Sequence, residues 1–444
     1  MNNEILLPDE VKTALGILHK NGYEAYIVGG CVRDSLMGIS PKDYDVTTNA
    51  LPEQTKEIFK RYRVIETGIK HGTVTVLINK MPLEITTYRI DSEYKDNRHP
   101  EFVTFTSSLE EDTARRDFTM NAIAYDDESG FVDFHGGQAD IQNKLIRCVG
   151  DPDKRFGEDA LRIMRAIRFS SVLGFGIEQN TKEALFRNKD LLKNISAERI
   201  ASELIKLLCG KNVYNVLTEY IDILGAVIPE LLYMKGFDQN SIHHKYSVSD
   251  HTARVVKNAD PTPVLRLAAL LHDTGKPHTY TEKDGRGHFY GHAKVSVEIT
   301  KNILDRLKFD NYTKDTVLEI IRLHDVPINE DRYTIKKFMN RHTPELFFML
   351  LKMKRADDLG KGTDVTERLA SLDRMEQIGK DILEEQACFS KKDLAVKGGD
   401  LISEGFSPGK ELGSILDTLL EEVIAEHLPN DKQTLIEYAK KITQ

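Results

Sequence analysis

Tyr26-Ile-Val-Gly-Gly-Cys-Val-Arg-Asp34 and, just after it, Pro41-Lys-Asp-Tyr-Asp-Val46 decide how this chain is read. Tyr26, Ile27 and Val28 favour a strand. Gly29-Gly30 permits a tight turn and close approach of the backbone to a ligand. A helix starting near Cys31 aims its N-terminal amides at that turn, which makes an anion site. Asp43 and Asp45 stand two apart, so on a strand both carboxylates share a face. Oxygen ligands of this kind suit one or two hard divalent cations, with phosphates completing the shell. A phosphate cradle beside a carboxylate pair is the minimum kit for nucleotidyl transfer. Taken singly, a Gly-Gly is a turn and an Asp-x-Asp is a solvated edge; their order and closeness favour the chemical reading.

Outward from this stretch, Val11, Ala14, Leu15 and Leu18 give a helix over residues 9–20. Pro52 opens a helix running to about Tyr62. His71–Ile78 and Leu83–Arg89 form a hairpin around Asn79-Lys-Met-Pro82. Glu84 lies on the return strand, either as a third carboxylate or as a solvent-facing residue alongside Thr86 and Tyr88. Residues 91–112 are polar and aperiodic, with Asp96-Asn-Arg-His-Pro100 as a loop. Thr113–Ala122 opens a helix dense in polar groups, and Arg116 can fork onto a phosphate. Asp117 can orient a ribose hydroxyl or an arginine. Phe131–Phe134 is a last strand, closing an α/β domain near residue 147.

These residues resemble the class II tRNA nucleotidyltransferase and poly(A) polymerase family of the polymerase-β-like superfamily. The matching motifs are Gly29-Gly30-x-x-Arg33-Asp34, Asp43-x-Asp45 and Arg115-Arg116-Asp117-Phe-Thr-x-Asn121-Ala. The resemblance implies that Asp43, Asp45 and Glu84 are catalytic, with the aspartates binding Mg2+. It implies that Gly29, Gly30 and Arg33 hold a triphosphate, and that Arg116, Asp117 and Asn121 line the nucleotide site. The Arg-His-Pro loop is expected beside that site.

Residues 151–169 read as one helix with Leu161, Met164, Ile167 and Phe169 on its apolar side. Asp159 and Arg162 are then neighbours on one face, with Arg165 following. The bland reading is a surface ion pair. The sharper one is a template: cytosine and adenine each offer an amino donor beside a ring-nitrogen acceptor, which an acceptor–donor pair complements. Guanine and uracil meet mismatched groups there. Glu158-Asp159-x-x-Arg162 resembles the family's base-selecting motif, which assigns Asp159, Arg162 and Arg165 to nucleotide binding.

Beyond about residue 180 the pattern is helical. Arg199 and Glu203 read as a solvated i, i+4 pair. His251, His272-Asp273 behind Leu267–Leu271, His292 and His324-Asp325 can meet in a helical bundle to bind one metal ion or a pair. His251, His272 and Asp273 resemble the core of the HD phosphohydrolase superfamily, with His292, His324 and Asp325 as further ligands. That resemblance implies a divalent transition metal and a phosphodiesterase or phosphatase activity. Val396–Leu401 and Gly405–Lys410 resemble a glycine-rich segment near the C-terminus of bacterial tRNA nucleotidyltransferases.

The expected organisation is a polymerase-β-like α/β domain at 1–147, an all-α neck and body at 148–240, an HD domain at 241–355 and a helical tail at 356–444. A chain of 444 residues supports several domains, and 30% charged residues fit a globular protein. A net charge of −9 leaves nucleic-acid binding to local basic patches. Four scattered cysteines point to no disulfide framework and to the cytoplasm. No apolar run suggests a signal peptide or a membrane span. The expected activity is CCA addition to tRNA from CTP and ATP. The alternatives are a poly(A) polymerase, a CC-only or A-only enzyme, or an HD phosphohydrolase with a nucleotide-sensing N-terminal domain.

Overall fold

The computed structural model describes residues 4–66, 68–91, 103–241 and 245–443. The expected loop at Asp96–Pro100 lies outside them. The chain divides into two compact units, residues 1–232 and 233–444.

In the first unit, helix α1 (Asp9–Lys20) buries Val11, Ala14, Leu15 and Leu18. Strand β1 (Ala25–Val28) leads through Gly29 into α2 (Gly30–Leu36). After β2 (Asp45–Thr48) comes α3 (Pro52–Ile58), which stops four residues before Tyr62. Strands β3 (Arg63–Ile65), β4 (Thr73–Ile78) and β5 (Met81–Thr87) follow. The turn of the β4–β5 hairpin is Asn79-Lys80, both at positive φ (46° and 72°). That geometry suits the right-handed twist of the flanking strands. A small hairpin of β6 (Arg89–Asp91) and β7 (Val103–Phe105) stands apart from the main sheet. Helix α4 (Leu109–Ala114) precedes β8 (Ala124–Asp126) and β9 (Gly130–Val132). The main sheet runs β3-β4-β5-β2-β1-β8-β9, with β2 and β5 parallel and its other pairs antiparallel.

Two expected helices are broken. Residues 113–122 do not open a helix: α4 ends at Ala114, and Thr119–Asn121 is a short 3-10 turn. Residues 151–169 form two helices, α5 (Gly137–Gln142) having intervened: α6 (Pro152–Glu158) and α7 (Leu161–Leu173). Asp159 between them is extended (φ −134°, ψ 102°), and its Oδ1 accepts from the Leu161 N–H at 3.0 Å. This short carboxylate competes with the helix for backbone partners and starts a new one. Around the expected boundary at 147 the backbone keeps its pairings. Strand β10 (Leu145–Ile146) pairs in parallel with β11 (Gly176–Ile177), and Phe118 bridges to Cys148. Helix α8 (Gln179–Asn188) packs on α6, and α9 (Ala197–Leu208) packs on α7.

The second unit is built of helices and one hairpin. Helices Val248–Asn258, Pro263–Leu271, Asn311–Leu323 and Pro344–Gly360 pack together, with His292–Arg306 against Asn311–Leu323. The expected boundary at 355 falls inside the helix Pro344–Gly360, which faces two ways: it packs on the bundle and contributes Phe347 and Leu351 to an apolar cluster with Ile335, Met339 and Ile382. A separate core of Leu394, Val396, Leu401, Leu419, Val423, Ile424 and Leu435 holds the last three helices, Gly398–Ser403, Lys410–Ile424 and Lys432–Ile442. Among the described residues no helix is long and apolar enough to cross a membrane.

Candidate active site

The parallel pairing of β2 and β5 sets Asp45 in register with Glu84. Both side chains leave the sheet on its exposed face, while Val46, Leu83 and Ile85 are buried around them. Asp43 is exposed and lies just before β2 rather than on it, so its approach is set by the loop and not by strand alternation. The Asp45 carboxyl is raised above its usual range by loss of hydration, against the pull of Arg116 and with the help of Glu84 and Asp43. These three carboxylates and one arginine therefore share a field, and a cation placed among them relieves the repulsion.

The glycine turn adjoins this group. Gly29 has φ +86°, and a Cβ there would meet Arg116 Nη1 at 3.1 Å. Arg116 is steered by the buried Asp112, 3.7 Å away, which also accepts from Arg115 (2.8 Å) and from the Thr47 hydroxyl (3.1 Å). Asp112 is a positioning residue the sequence reading missed; its signal was an acid four residues ahead of Arg116.

The remaining residues form a chain of charge-assisted bonds. Arg33 donates to Asp34 (2.7 and 2.9 Å) and to Asn121 Oδ1 (2.7 Å). Asn121 donates to Asp117 (3.0 Å), and Arg165 donates twice to the other Asp117 oxygen (2.8 and 2.5 Å). Burial alone would raise the Asp117 carboxyl, yet Arg165 and Asn121 hold it down to about 2. The Phe169 ring lies under the guanidinium of Arg168 at 3.6 Å, with Arg33 at 5.0 Å and Arg165 at 5.4 Å.

The expected Asp159–Arg162 face is not formed. Arg162 turns to Glu158 (2.8 Å) and to the carbonyls of Arg155 and Arg115 (3.1 and 2.9 Å). Asp159 turns to Arg199 (3.0 Å). The break between α6 and α7 is the cause: the Arg162 N–H still donates to the Asp159 carbonyl at 3.0 Å, but the extended Asp159 turns its carboxylate to the Leu161 N–H and to Arg199. The expected Arg199–Glu203 pair is likewise replaced: buried Glu203 accepts from Arg168 at 2.8 Å.

In the second unit, His251, His272 and Asp357 form one group of potential ligand atoms within 4.8 Å of one another, and Asp273, His292 and His324 form a second. His272, His292 and His324 each direct Nδ1 at a backbone carbonyl (Ala269, Phe289, Ile321; 2.9, 3.0 and 2.6 Å). That leaves their Nε2 lone pairs facing inward. Buried Asp273 Oδ2 pairs with Lys276 Nζ at 2.7 Å and lies 3.2 Å from His272 Nε2. Burial opposes protonation of His272, but Asp273 and Asp357 raise it to about 10, so the centre attracts positive charge. These donors fit a divalent transition metal. Asp357 was absent from the sequence reading. Asp325, expected as a ligand, is exposed at the rim, its Oδ2 3.5 Å from His292 Nε2.

A family described as Poly A polymerase head domain matches residues 25–147, and a tRNA nucleotidyltransferase domain 2 family matches residues 288–439. The CCA-adding enzyme of Ligilactobacillus salivarius is 34% identical to this chain, covering 99% of it and 98% of the relative. The chain belongs to the CCA-adding enzyme family. The Streptococcus mutans CCA-adding enzyme is 33% identical over 98% of both chains. The solved CCA-adding enzyme of Bacillus stearothermophilus in complex with CTP superposes with a TM-score of 0.73 at 29% identity, covering 99% of this chain and 98% of that one. The Thermotoga maritima CCA-adding enzyme complexed with tRNA, at 19% identity and a TM-score of 0.61, shares the fold. Membership of the CCA-adding enzyme family makes this chain a nucleotidyltransferase with an α/β head followed by helices.

Proposed function

We propose that this protein completes tRNA 3′ ends in the cytoplasm, adding C, C and A from CTP and ATP with release of pyrophosphate. The observation that carries the reading is the register of Asp45 with Glu84 beside the Gly29-Gly30 turn. Asp43, Asp45 and Glu84 hold Mg2+ in this scheme. Bound there, the ion lowers the pKa of the attacking 3′ hydroxyl and offsets charge on the α-phosphate and the departing pyrophosphate. The amides following Gly29 receive the triphosphate, with Arg33 and Arg116 as its cations; Asp34, Asn121 and Asp112 keep those guanidiniums in place. Arg165 fixes Asp117 for the ribose side. Asp159 and Arg162 read the base after exchanging their present partners, Arg199 and Glu158, for its Watson–Crick edge. The glycine-rich segment at 396–410 lets the tail approach tRNA phosphates.

Three tRNA transcripts, ending before CCA, after one C and after CC, test this with Mg2+ and CTP, ATP or both. All three are expected to grow to a finished CCA end and stop. Addition of only C or only A, or long adenosine tails, would replace the reading with a narrower enzyme or a poly(A) polymerase.

A second activity is favoured by the inward-facing imidazoles and the two clustered sets of ligand atoms: metal-dependent phosphoester hydrolysis at the His251, His272, Asp273, His292, His324 and Asp357 centre. His272→Ala is expected to remove phosphate release while leaving CCA addition intact, and Asp45→Ala to do the reverse.

A further inference from the structure

The hairpin Thr281–Lys283 and Arg286–His288 ends in a short aromatic run that neither proposed activity uses. His288 and Tyr290 stack on each other, ring centroids 5.3 Å apart and planes within 5°. Phe289 between them packs against Phe237 (6.5 Å) and Tyr280 (5.6 Å), with Lys276 Nζ 5.5 Å from its ring centroid. Gly287 is pinned as well: its N–H donates to the Asn240 carbonyl at 2.8 Å, and a Cβ there would lie 2.2 Å from the Gln239 carbonyl oxygen. Gly291 then turns the chain at φ +76° directly into His292. The stacked pair is thus held on a fixed loop, two residues from a metal-ligand candidate, and Tyr290 is 76% exposed. A large aromatic left exposed on an anchored loop needs a reason.

The cavity supplies one. A pocket of about 320 Å³ is lined by His288 and Tyr290 and also by Asp273, His292, Lys276 and Lys361. One wall is thus an aromatic face, and the floor is a cation-attracting centre with lysines beside it. A base stacks on an aromatic face with little regard to its identity, because every base has a π surface. A phosphate suits the floor.

We propose that His288 and Tyr290 form a base-stacking platform which restricts the histidine-aspartate centre to phosphoesters of nucleosides; this rests on the hydrolase reading of that centre. In the reaction a bond forms from water oxygen to phosphorus, and the bond to the ester oxygen breaks. The ester oxygen leaves with a proton as a free hydroxyl. The base is held away from the reacting atoms and contributes affinity and position.

AMP and ribose 5-phosphate differ only by the base, so the pair tests the platform. Phosphate release by the full chain with Mn2+ is measured for both. Tyr290→Ala is expected to raise KM for AMP about tenfold, the size of one lost base stack. It should leave kcat for AMP and both constants for ribose 5-phosphate unchanged. Equal effects on both esters, or none on either, would overturn the platform and leave the hydrolase standing. A second readout needs no turnover. The chain contains no tryptophan, so a Tyr290→Trp variant carries a single indole at the platform. With Mg2+, AMP is expected to quench its emission saturably and ribose 5-phosphate is not. Failure of the unmodified protein to hydrolyse either ester would sink the hydrolase reading; selective quenching by AMP would still support the platform, and no quenching would remove it too.

Discussion

Asp45 and Glu84 reach the same spot from two strands that lie 39 positions apart in the chain, held by four in-register pairs. Neutralising either removes charge from the place where the cation is needed. Asp45→Asn and Glu84→Gln are each expected to lower the rate of nucleotide addition about 10³-fold, the scale of several kcal/mol of lost charge stabilisation. Single-turnover extension of a tRNA ending in CC measures it. Asp117 acts differently. Its carboxyl sits at about 2 in the folded protein against an ordinary 3.8. A depressed value stabilises the fold above about pH 4, and that contribution is lost as pH falls towards about 2. It amounts to about 2 kcal/mol. Asp117→Asn should therefore lower the urea midpoint of the first unit at pH 7, and the deficit should shrink at pH 3. The strand–glycine turn–helix that carries Gly29 and Arg33 was legible because it is local to one short stretch, whereas Asp43 falls before β2 and not on it. Asp357 was not legible, since Met353-Lys-Arg-Ala-Asp357 reads as an ordinary charged helix surface and its partners are distant in sequence. Asp325 was taken instead because it follows His324 as Asp273 follows His272; the first is exposed and the second buried.

At the scale of elements, the hairpin, the glycine turn and α1 followed from periodicity and turn chemistry. The division of 151–169 did not, because the apolar spacing continues smoothly across Asp159. Gly157 followed by two acids was the available warning, as glycine weakens a helix and aspartate starts one. The consequence is that Arg199, on α9, holds Asp159. Removing it frees the carboxylate for a base but also lets it wander. Arg199→Ala is expected to cost about 1 kcal/mol in nucleotide affinity, roughly a fivefold rise in KM for both CTP and ATP. Steady-state extension with each nucleotide in turn checks it; a change confined to kcat would contradict this role. The glycine turn has its own sensitivity. Gly29→Ala meets both a positive φ and the Arg116 guanidinium, and should impair addition of both nucleotides alike.

For the molecule as a whole, the two compact units give two independent tests of stability. A metal ion that binds only the folded second unit raises its unfolding midpoint by mass action. Adding Mn2+ to chelator-treated protein is expected to raise the second unit's transition by several degrees, and Asp273→Ala should abolish the rise. Differential scanning calorimetry with and without the ion decides it. The division at 232/233 lies eight residues before the boundary expected at 240/241. Sequence pattern marks where an α/β domain stops, but the pairing of β10 with β11, which binds residues 145–146 to 176–177, leaves no composition signal.

The joint at Asp159 carries one more implication, for accuracy. Groups fixed along one continuous rod keep a constant spacing, and such a ruler fits a single outline. Here Asp159 is itself the extended residue at the joint, and Arg162 lies in the first turn of α7. A twist of one or two backbone torsions alters their separation without disturbing β2 or β5. On the roles proposed above, the speed of the enzyme and its choice of letter would be set by different parts of the chain. Substitutions around the joint should accumulate as copying errors at nearly normal turnover, whereas those on the sheet should slow the enzyme without making it careless.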